Sequence, residues 1–268
     1  MKTALNKEYL EHSVFGQLTD YANFYRSLSD STMSWISQGT NSAINIDTYV
    51  FSSMQGTLES INDILFKGRI NDAYALLRKY YDATIINLYS NIYLSDNFSI
   101  DNFIVEKINN WVKGKETIPS FGTMSEYIIK SNKVSEITKL IYNNSAFKGS
   151  SFEDLRQRCN DHTHYLYYHN LLSNDNEVYL QNRLATLDSF SKDLKNIFIL
   201  HLSYLFYQND HYMMSSDYVD SLDCGLTPDE GSQYWVAPFI QDIFDKVIKA
   251  NRPDIAETIK GKTAMKLE

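Results

Sequence analysis

The amino-acid sequence predicts an all-α protein. Residues that favour tight turns are scarce, with 10 glycines and 4 prolines in 268 residues. A β-sheet protein of this length needs many such turns. Apolar residues instead recur every three or four positions over long stretches, which is the period of an amphipathic helix. We therefore expect an elongated helical bundle with long antiparallel helices.

Three stretches of the chain differ in character. Residues 1–44 are rich in serine and aromatic side chains, and we expect a short helix and an arm packed on the body. Residues 45–216 carry the strong helical pattern and form the predicted bundle. Residues 217–268 are expected to extend the same domain with an irregular loop and a last helix. The charged stretch 260–268 should fray, as chain ends commonly do.

The first two long helices are predicted to pack as a pair. One begins near Ile46 and ends at Gly68, and the next runs from about Asn71 to Tyr93. Because few residues join them, they should lie antiparallel. The apolar stripe of the first helix consists of Phe51, Met54, Leu58, Ile61 and Leu65.

Further helices complete the predicted bundle. Ser150 and Glu153 resemble a capping box, in which the two side chains satisfy backbone groups at a helix start. A helix should therefore begin at Ser150. Others are expected over residues 102–113, 124–130, 134–142, about 178–208 and 236–250.

Charge and cysteine content exclude several classes of protein. The formal net charge is −8, so a broad basic surface for nucleic acid is excluded, and any RNA contact needs a small local cationic site. Two cysteines, Cys159 and Cys224, provide no disulfide framework and no four-cysteine zinc site. The chain does not open on an apolar leader, and its apolar runs are too short for a membrane span. We expect a cytoplasmic protein without membrane contact.

One segment concentrates the side chains that perform chemistry. Arg156 and Arg158 are permanent cations whose forked donors suit phosphate. They are followed closely by His162, His164 and His169, and imidazoles transfer protons near neutral pH. Together these residues form the kind of local cationic site that an acidic protein needs for phosphodiester chemistry.

The stretch Arg158-Cys-Asn-Asp-His-Thr-His164 resembles the signature of the HEPN superfamily, in which an arginine is followed by a histidine after four to six residues. Five residues intervene here, and the frame from Arg156 to His162 has the same spacing. The tyrosine that often follows is displaced by one position, to Tyr167. We prefer the pair Arg158 and His164.

The resemblance implies a metal-independent endoribonuclease without a cofactor, active as a homodimer in toxin–antitoxin or phage-defence systems. His164 or His162 would activate the ribose 2′-hydroxyl or protonate the leaving oxygen, and Arg158 would stabilise the phosphate charge. Its partners would be RNA and an antitoxin or another defence-system protein. The residues expected to contact RNA are Arg156, Asn160, Asp161 and Tyr167.

Helix geometry constrains how these residues cooperate. At about 100° per residue, Arg158 and His164 point about 120° apart, so one straight helix does not aim both at a single atom. A dimeric cleft or a distorted turn would bring them together. Arg158 and His162 do share a helix face. Either histidine therefore remains a candidate.

Other interpretations of the same residues stay open. The segment is also compatible with a solvated helix face, or with a zinc site that uses Cys159 and the nearby histidines. The whole chain could serve as a non-catalytic regulatory dimer or as an unrelated interaction protein. Elsewhere, Arg78 is expected to form a salt bridge with Asp82, and His201 to be a hydrogen-bonded core residue.

Overall fold

The computed structural model describes residues 5–34, 46–99, 102, 104–143, 150–175, 183–214, 221, 224–227 and 236–268. These residues form α-helices and their connections and contain no β-strand, which confirms the predicted all-α class. An isolated antiparallel bridge joins Ser99 and Asn102.

The described part of the chain is a succession of helices. A 3₁₀ turn at Asn132–Val134 leads into α7, another at Asp210–Tyr212 follows α10, and α11 continues as a π-helical turn, Phe244–Lys249. The helices are α1 (Lys7–Leu10), α2 (Val14–Ser34), α3 (Ile46–Phe66), α4 (Ile70–Asn97), α5 (Glu106–Val112), α6 (Phe121–Lys130), α7 (Ser135–Asn143), α8 (Ser150–Thr163), α9 (Tyr168–Leu172), α10 (Arg183–Gln208), α11 (Pro238–Ile243) and α12 (Pro253–Lys262).

Helices α2, α3 and α4 pack in succession. The predicted stripe of α3 is fully buried. Gly68 adopts the left-handed φ of 75° and ends the α3 segment as the sequence predicts, so that α4 turns back along α3. At 21 residues, α2 is longer than the short helix expected in this part of the chain.

Helix α10 passes through the core beside α4. From Asp193 to Phe206 it contributes mostly buried side chains, including the polar residues Asp193, His201 and Ser203. None of the described helices combines the length and the apolar character needed to cross a bilayer.

A buried polar network ties α2, α4 and α10 together. The Tyr25 hydroxyl lies 2.6 Å from His201 Nδ1 and 2.8 Å from the Tyr80 hydroxyl. His201 Nε2 lies 2.8 Å from Asn87 Oδ1. Burial lowers the pKa of His201 to about 3, so the ring is neutral. His201 is therefore the hydrogen-bonded core residue that the sequence predicted.

The same network extends to the start of α3. Asn87 donates to the buried carboxylate of Asp47 at 2.6 Å, Asn91 donates at 3.0 Å, and the Tyr212 hydroxyl donates at 2.7 Å. Burial raises the pKa of Asp47 despite these hydrogen bonds. The network thus joins five segments that are distant in sequence.

The C-terminal residues correct one expectation. The stretch 260–268 was expected to fray, but α12 buries Ile255 and Ile259, and Met265 and Leu267 are buried after it. The backbone N–H of Glu268 donates to Gln241 at 3.1 Å. Apolar residues between the charged ones pack this stretch against the bundle. The charged composition of the stretch did not indicate this packing.

Candidate functional site at the end of helix α8

Helix α8 positions the HEPN-like segment against α4. Its inner face buries Leu155 and Cys159. The helix ends when Tyr165 takes a left-handed φ of 50°, and the N–H of Leu166 then donates to the Asp161 carbonyl at 2.9 Å. Such a conformation is uncommon for a residue other than glycine. It reverses the chain into α9 and leaves the residues after His162 largely outside the bundle.

Arg158 is held by a buried carboxylate on α10. Its Nε donates to Asp193 Oδ2 at 2.9 Å and its Nη2 donates to Asp193 Oδ1 at 2.5 Å. The Asp193 side chain is 2% exposed, whereas the Arg158 side chain is 43% exposed. The hydrogen bonds with Asp193 raise the pKa of Arg158. The guanidinium is therefore fixed in place but still reaches solvent.

His162 lies on the buried side of α8. Its Nδ1 is 2.9 Å from Asn71 Oδ1, and its ring stacks on Tyr74 with a centroid distance of 4.1 Å and an interplanar angle of 5°. Burial, together with the nearby charge of His169, lowers the pKa of His162 to about 4. The ring is therefore neutral at pH 7, and its contacts favour a structural role over proton transfer.

His164 lies on the other side, exposed to solvent. Its ring makes no hydrogen bond to any residue that the structure describes. His169 is also exposed, and its ring stacks on Tyr167 at 5.5 Å. His164 is therefore accessible to solvent, whereas His162 is buried.

Several large side chains around His164 face solvent. We call Arg158 together with the exposed residues of 164–171 the α8–α9 surface. Their exposed fractions are 46% for Tyr165, 57% for Leu166, 54% for Tyr167, 75% for Tyr168 and 46% for Leu171. Monomeric proteins seldom expose so many neighbouring apolar side chains, and such patches commonly mark interaction sites.

Arg156 lies away from this surface, although it was predicted to bind RNA with Arg158. Its Nη1 donates to Asp82 Oδ1 at 2.7 Å, and the guanidinium lies 3.4 Å from the centroid of the Phe121 ring. Two residues along a helix correspond to a rotation of about 200°, so the two arginines leave α8 on opposite sides. Arg156 is thus engaged by Asp82 and Phe121, on the side of α8 opposite to Arg158.

Two more of the predicted RNA contacts, Asn160 and Asp161, lie within α8. The Asp161 carboxylate accepts a hydrogen bond from Gln157 Nε2 at 2.7 Å. Asn160 Oδ1 is buried and has no hydrogen-bond partner among the described residues. Of the predicted RNA contacts, Tyr167 is the one with a largely exposed side chain, at 54%.

The alternative zinc site does not form. No group of three or more histidine, cysteine, aspartate or glutamate side chains within the described residues is arranged to hold a metal ion. Cys159 is fully buried, and burial raises the pKa of its thiol to about 12. A metal would need the thiolate, which this site disfavours.

A pocket of about 690 Å³ between α3, α4 and α5 was missed by sequence reasoning. Arg78, Lys79 and Asp82 line it, with Trp111 on the α5 side. Asp82 is 3.9 Å from Arg78 Nε, in agreement with the predicted salt bridge, and 2.7 Å from Arg156. Each helix carries only part of the lining, so the sequence of a single helix does not reveal the pocket.

Comparison with known proteins identifies no relative of this chain. The chain matches no family model, no curated protein and no solved structure. The likeness to the HEPN superfamily therefore remains a resemblance of one motif in an all-α chain.

Proposed function

We propose that the chain is a metal-independent HEPN-type endoribonuclease that cuts cytoplasmic RNA at the α8–α9 surface, as a toxin or a phage-defence effector. The observation that carries the proposal is that Arg158 and His164 both reach solvent, in a segment that also exposes several tyrosines. A protein of net charge −8 needs such a local site to hold RNA. Exposed aromatic rings also offer stacking surfaces for unpaired bases.

His164 and Arg158 have distinct roles in the proposed reaction. His164 takes the proton of a ribose 2′-hydroxyl, and the 2′-oxygen attacks the adjacent phosphorus. The bond from phosphorus to the 5′-oxygen breaks, and that oxygen takes a proton from water, while His164 returns its own proton to solvent. Asp193 uses two of the five N–H donors of Arg158, which leaves three for the phosphate oxygens. The products are a 2′,3′-cyclic phosphate and a 5′-hydroxyl.

A homodimer completes this site in the proposal. Arg158 and His164 diverge by about 120° around the α8 axis, so the two groups meet most simply when each protomer supplies one of them. The exposed side chains of Tyr165, Leu166 and Leu171 provide apolar area for that contact.

The proposal is tested by incubating the purified chain with a labelled single-stranded RNA in EDTA. We expect cleavage with 2′,3′-cyclic phosphate ends, and no cleavage of DNA of the same sequence because it lacks the 2′-hydroxyl. His164→Ala should lower the cleavage rate by about 10²–10⁴-fold, the usual contribution of a general acid or base. His169→Ala, on the same surface, serves as the matched control and should retain most of the activity.

Arg158 requires a variant that keeps the fold intact. Arg158→Ala alone would leave Asp193 buried and unpaired, so we choose the double variant Arg158→Gln/Asp193→Asn, in which neutral amides replace both charges. Asp193→Asn alone is its control. We expect the double variant to lose cleavage while its circular dichroism spectrum is unchanged. Full activity of this variant, or of His164→Ala, would contradict the assignment.

A second function is favoured by the contacts of the same motif. Arg158 is engaged by Asp193, and His162 is a buried neutral ring. Both observations suit a non-catalytic HEPN-like dimer that binds RNA or an antitoxin-like partner in regulation. RNA binding that persists without cleavage, and that is weakened by Tyr168→Ala, would support this candidate over the enzyme.

A further inference from the structure

The pocket between α3, α4 and α5 has apolar walls. Its volume of about 690 Å³ lies within the range of small-molecule sites. The apolar lining combines side chains from all three helices: Ile46, Val50, Ala83, Ile86, Trp111 and Val112. The uncharged polar side-chain groups of the described lining are the hydroxyls of Tyr49 and Ser53 and the indole N–H of Trp111. The walls therefore suit an apolar body better than a nucleobase, whose edges need hydrogen-bond partners.

One side of the pocket is cationic. Arg78 and Lys79 line it, and Asp82 is the single carboxylate among the lining residues described. Asp82 is itself paired with Arg156 at 2.7 Å. These four side chains carry three positive charges and one negative charge, in a protein whose net charge is −8. The local excess of positive charge therefore opposes the charge of the whole molecule.

The Arg78 guanidinium has N–H donors that are not used within the described residues. The Arg78 side chain is 26% exposed, and the ion pair that it makes within the described part of the chain, with Asp82, is long at 3.9 Å. Its two terminal nitrogens donate no hydrogen bond to any residue that the structure describes. A half-buried guanidinium without hydrogen-bond partners is costly. A carboxylate matches its fork with two parallel hydrogen bonds.

We propose that this pocket binds an organic anion that joins a carboxylate head to an apolar body. Arg78 receives the carboxylate, Lys79 adds charge from the rim, and the walls formed by Val50, Ile86 and Trp111 enclose the apolar body. This site is separate from the α8–α9 surface and does not depend on ribonuclease activity.

The test uses decanoate as the probe, with decanamide as its uncharged analogue, in isothermal titration calorimetry on the full chain. Decanoate should bind at least about tenfold more tightly than decanamide, because the carboxylate accepts two charge-assisted hydrogen bonds from the guanidinium that the neutral amide does not match. Arg78→Met keeps the length and the apolar stem, and leaves Asp82 paired with Arg156. It should remove that preference. Arg26→Met, which alters an exposed ion pair with Glu59, should not.

A pocket-filling variant keeps the proposal falsifiable. Ala83→Leu narrows the apolar part of the pocket and should weaken decanoate and decanamide alike, with helix content checked by circular dichroism. Equal affinity of the two probes for the unmodified chain would overturn the proposal. So would decanoate binding that neither Arg78→Met nor Ala83→Leu changes, or tighter binding of adenosine monophosphate than of decanoate.

Discussion

Arg158 on the α8–α9 surface and Arg78 in the pocket between α3, α4 and α5 both lie near an aspartate, yet their situations differ. Arg158 makes two short hydrogen bonds to Asp193, whose side chain is 2% exposed. Arg78 is 3.9 Å from Asp82, which is 36% exposed and has Arg156 as a closer partner. The arginine within the motif is thus the one bonded to a buried carboxylate, and the arginine outside it has more N–H donors available for a ligand.

The largest expected effect separates these two arginines by stability. Arg158→Ala leaves a buried carboxylate without its partner and should lower the free energy of unfolding by about 3–5 kcal/mol. Arg78→Ala leaves Asp82 paired with Arg156 and should cost less than about 1 kcal/mol. Urea denaturation followed by circular dichroism measures both values.

A rescue variant sharpens this comparison. Asp193→Asn added to Arg158→Ala removes the unpaired charge and should restore part of the lost stability. Equal losses for Arg158→Ala and Arg78→Ala would show that the difference in burial between the two aspartates does not matter.

A smaller effect is the pH dependence of stability that the buried histidines His162 and His201 produce. The folded-state pKa values of His162, about 4, and His201, about 3, lie below the ordinary value of 6.5. Both rings therefore stabilise the fold fully above pH 6.5, and this stability is lost as the pH falls toward 4. Each ring contributes a slope of up to about 1.4 kcal/mol per pH unit.

The histidine variants test that slope. The difference between the unfolding free energies at pH 7 and pH 4.5 should be smaller in His162→Gln than in the unmodified chain. His164→Gln, at an exposed side chain of the same segment, is the matched control. Asp47, whose raised pKa acts in the opposite direction, is present in both variants and cancels from the comparison. A full pH slope in His162→Gln would show that the imidazole is not desolvated in solution.

The smallest effect on stability concerns the exposed tyrosines. Tyr168→Ala should change the free energy of unfolding by less than about 0.5 kcal/mol, because the side chain is 75% exposed. If the α8–α9 surface binds RNA, the same substitution should weaken binding by about 1–3 kcal/mol, as measured by fluorescence anisotropy. Loss of stability without loss of binding would assign this ring to the fold.

Periodicity in the sequence predicted much of the fold. The apolar stripe of α3, the stop at Gly68 and the start of α8 at Ser150 are where the pattern placed them. Local rules suffice at these positions because burial and helix termination depend on neighbours three or four residues away. The packed C-terminal stretch escaped prediction because Met265 and Leu267 are buried by contacts with distant parts of the chain.

The candidate site was only partly predictable. The sequence placed Arg156 and Arg158 in one cluster, but α8 directs them toward Asp82 and Asp193, on different helices. Neither aspartate carries a local signal that identifies its partner. The left-handed turn at Tyr165, which exposes His164, could not be predicted from the sequence either, because such turns usually contain glycine.

The buried polar network has a consequence for how the chain is made. Tyr25 and His201 lie 176 positions apart, so their hydrogen bond forms only when most of the polypeptide has left the ribosome. Synthesis adds about 5–20 residues per second, so His201 is made on the order of ten seconds or more after Tyr25. During that interval the hydroxyls of Tyr25 and Tyr80 lack their imidazole partner. During synthesis, water or transient contacts must satisfy these groups, and final consolidation of the core should be a late event of biogenesis.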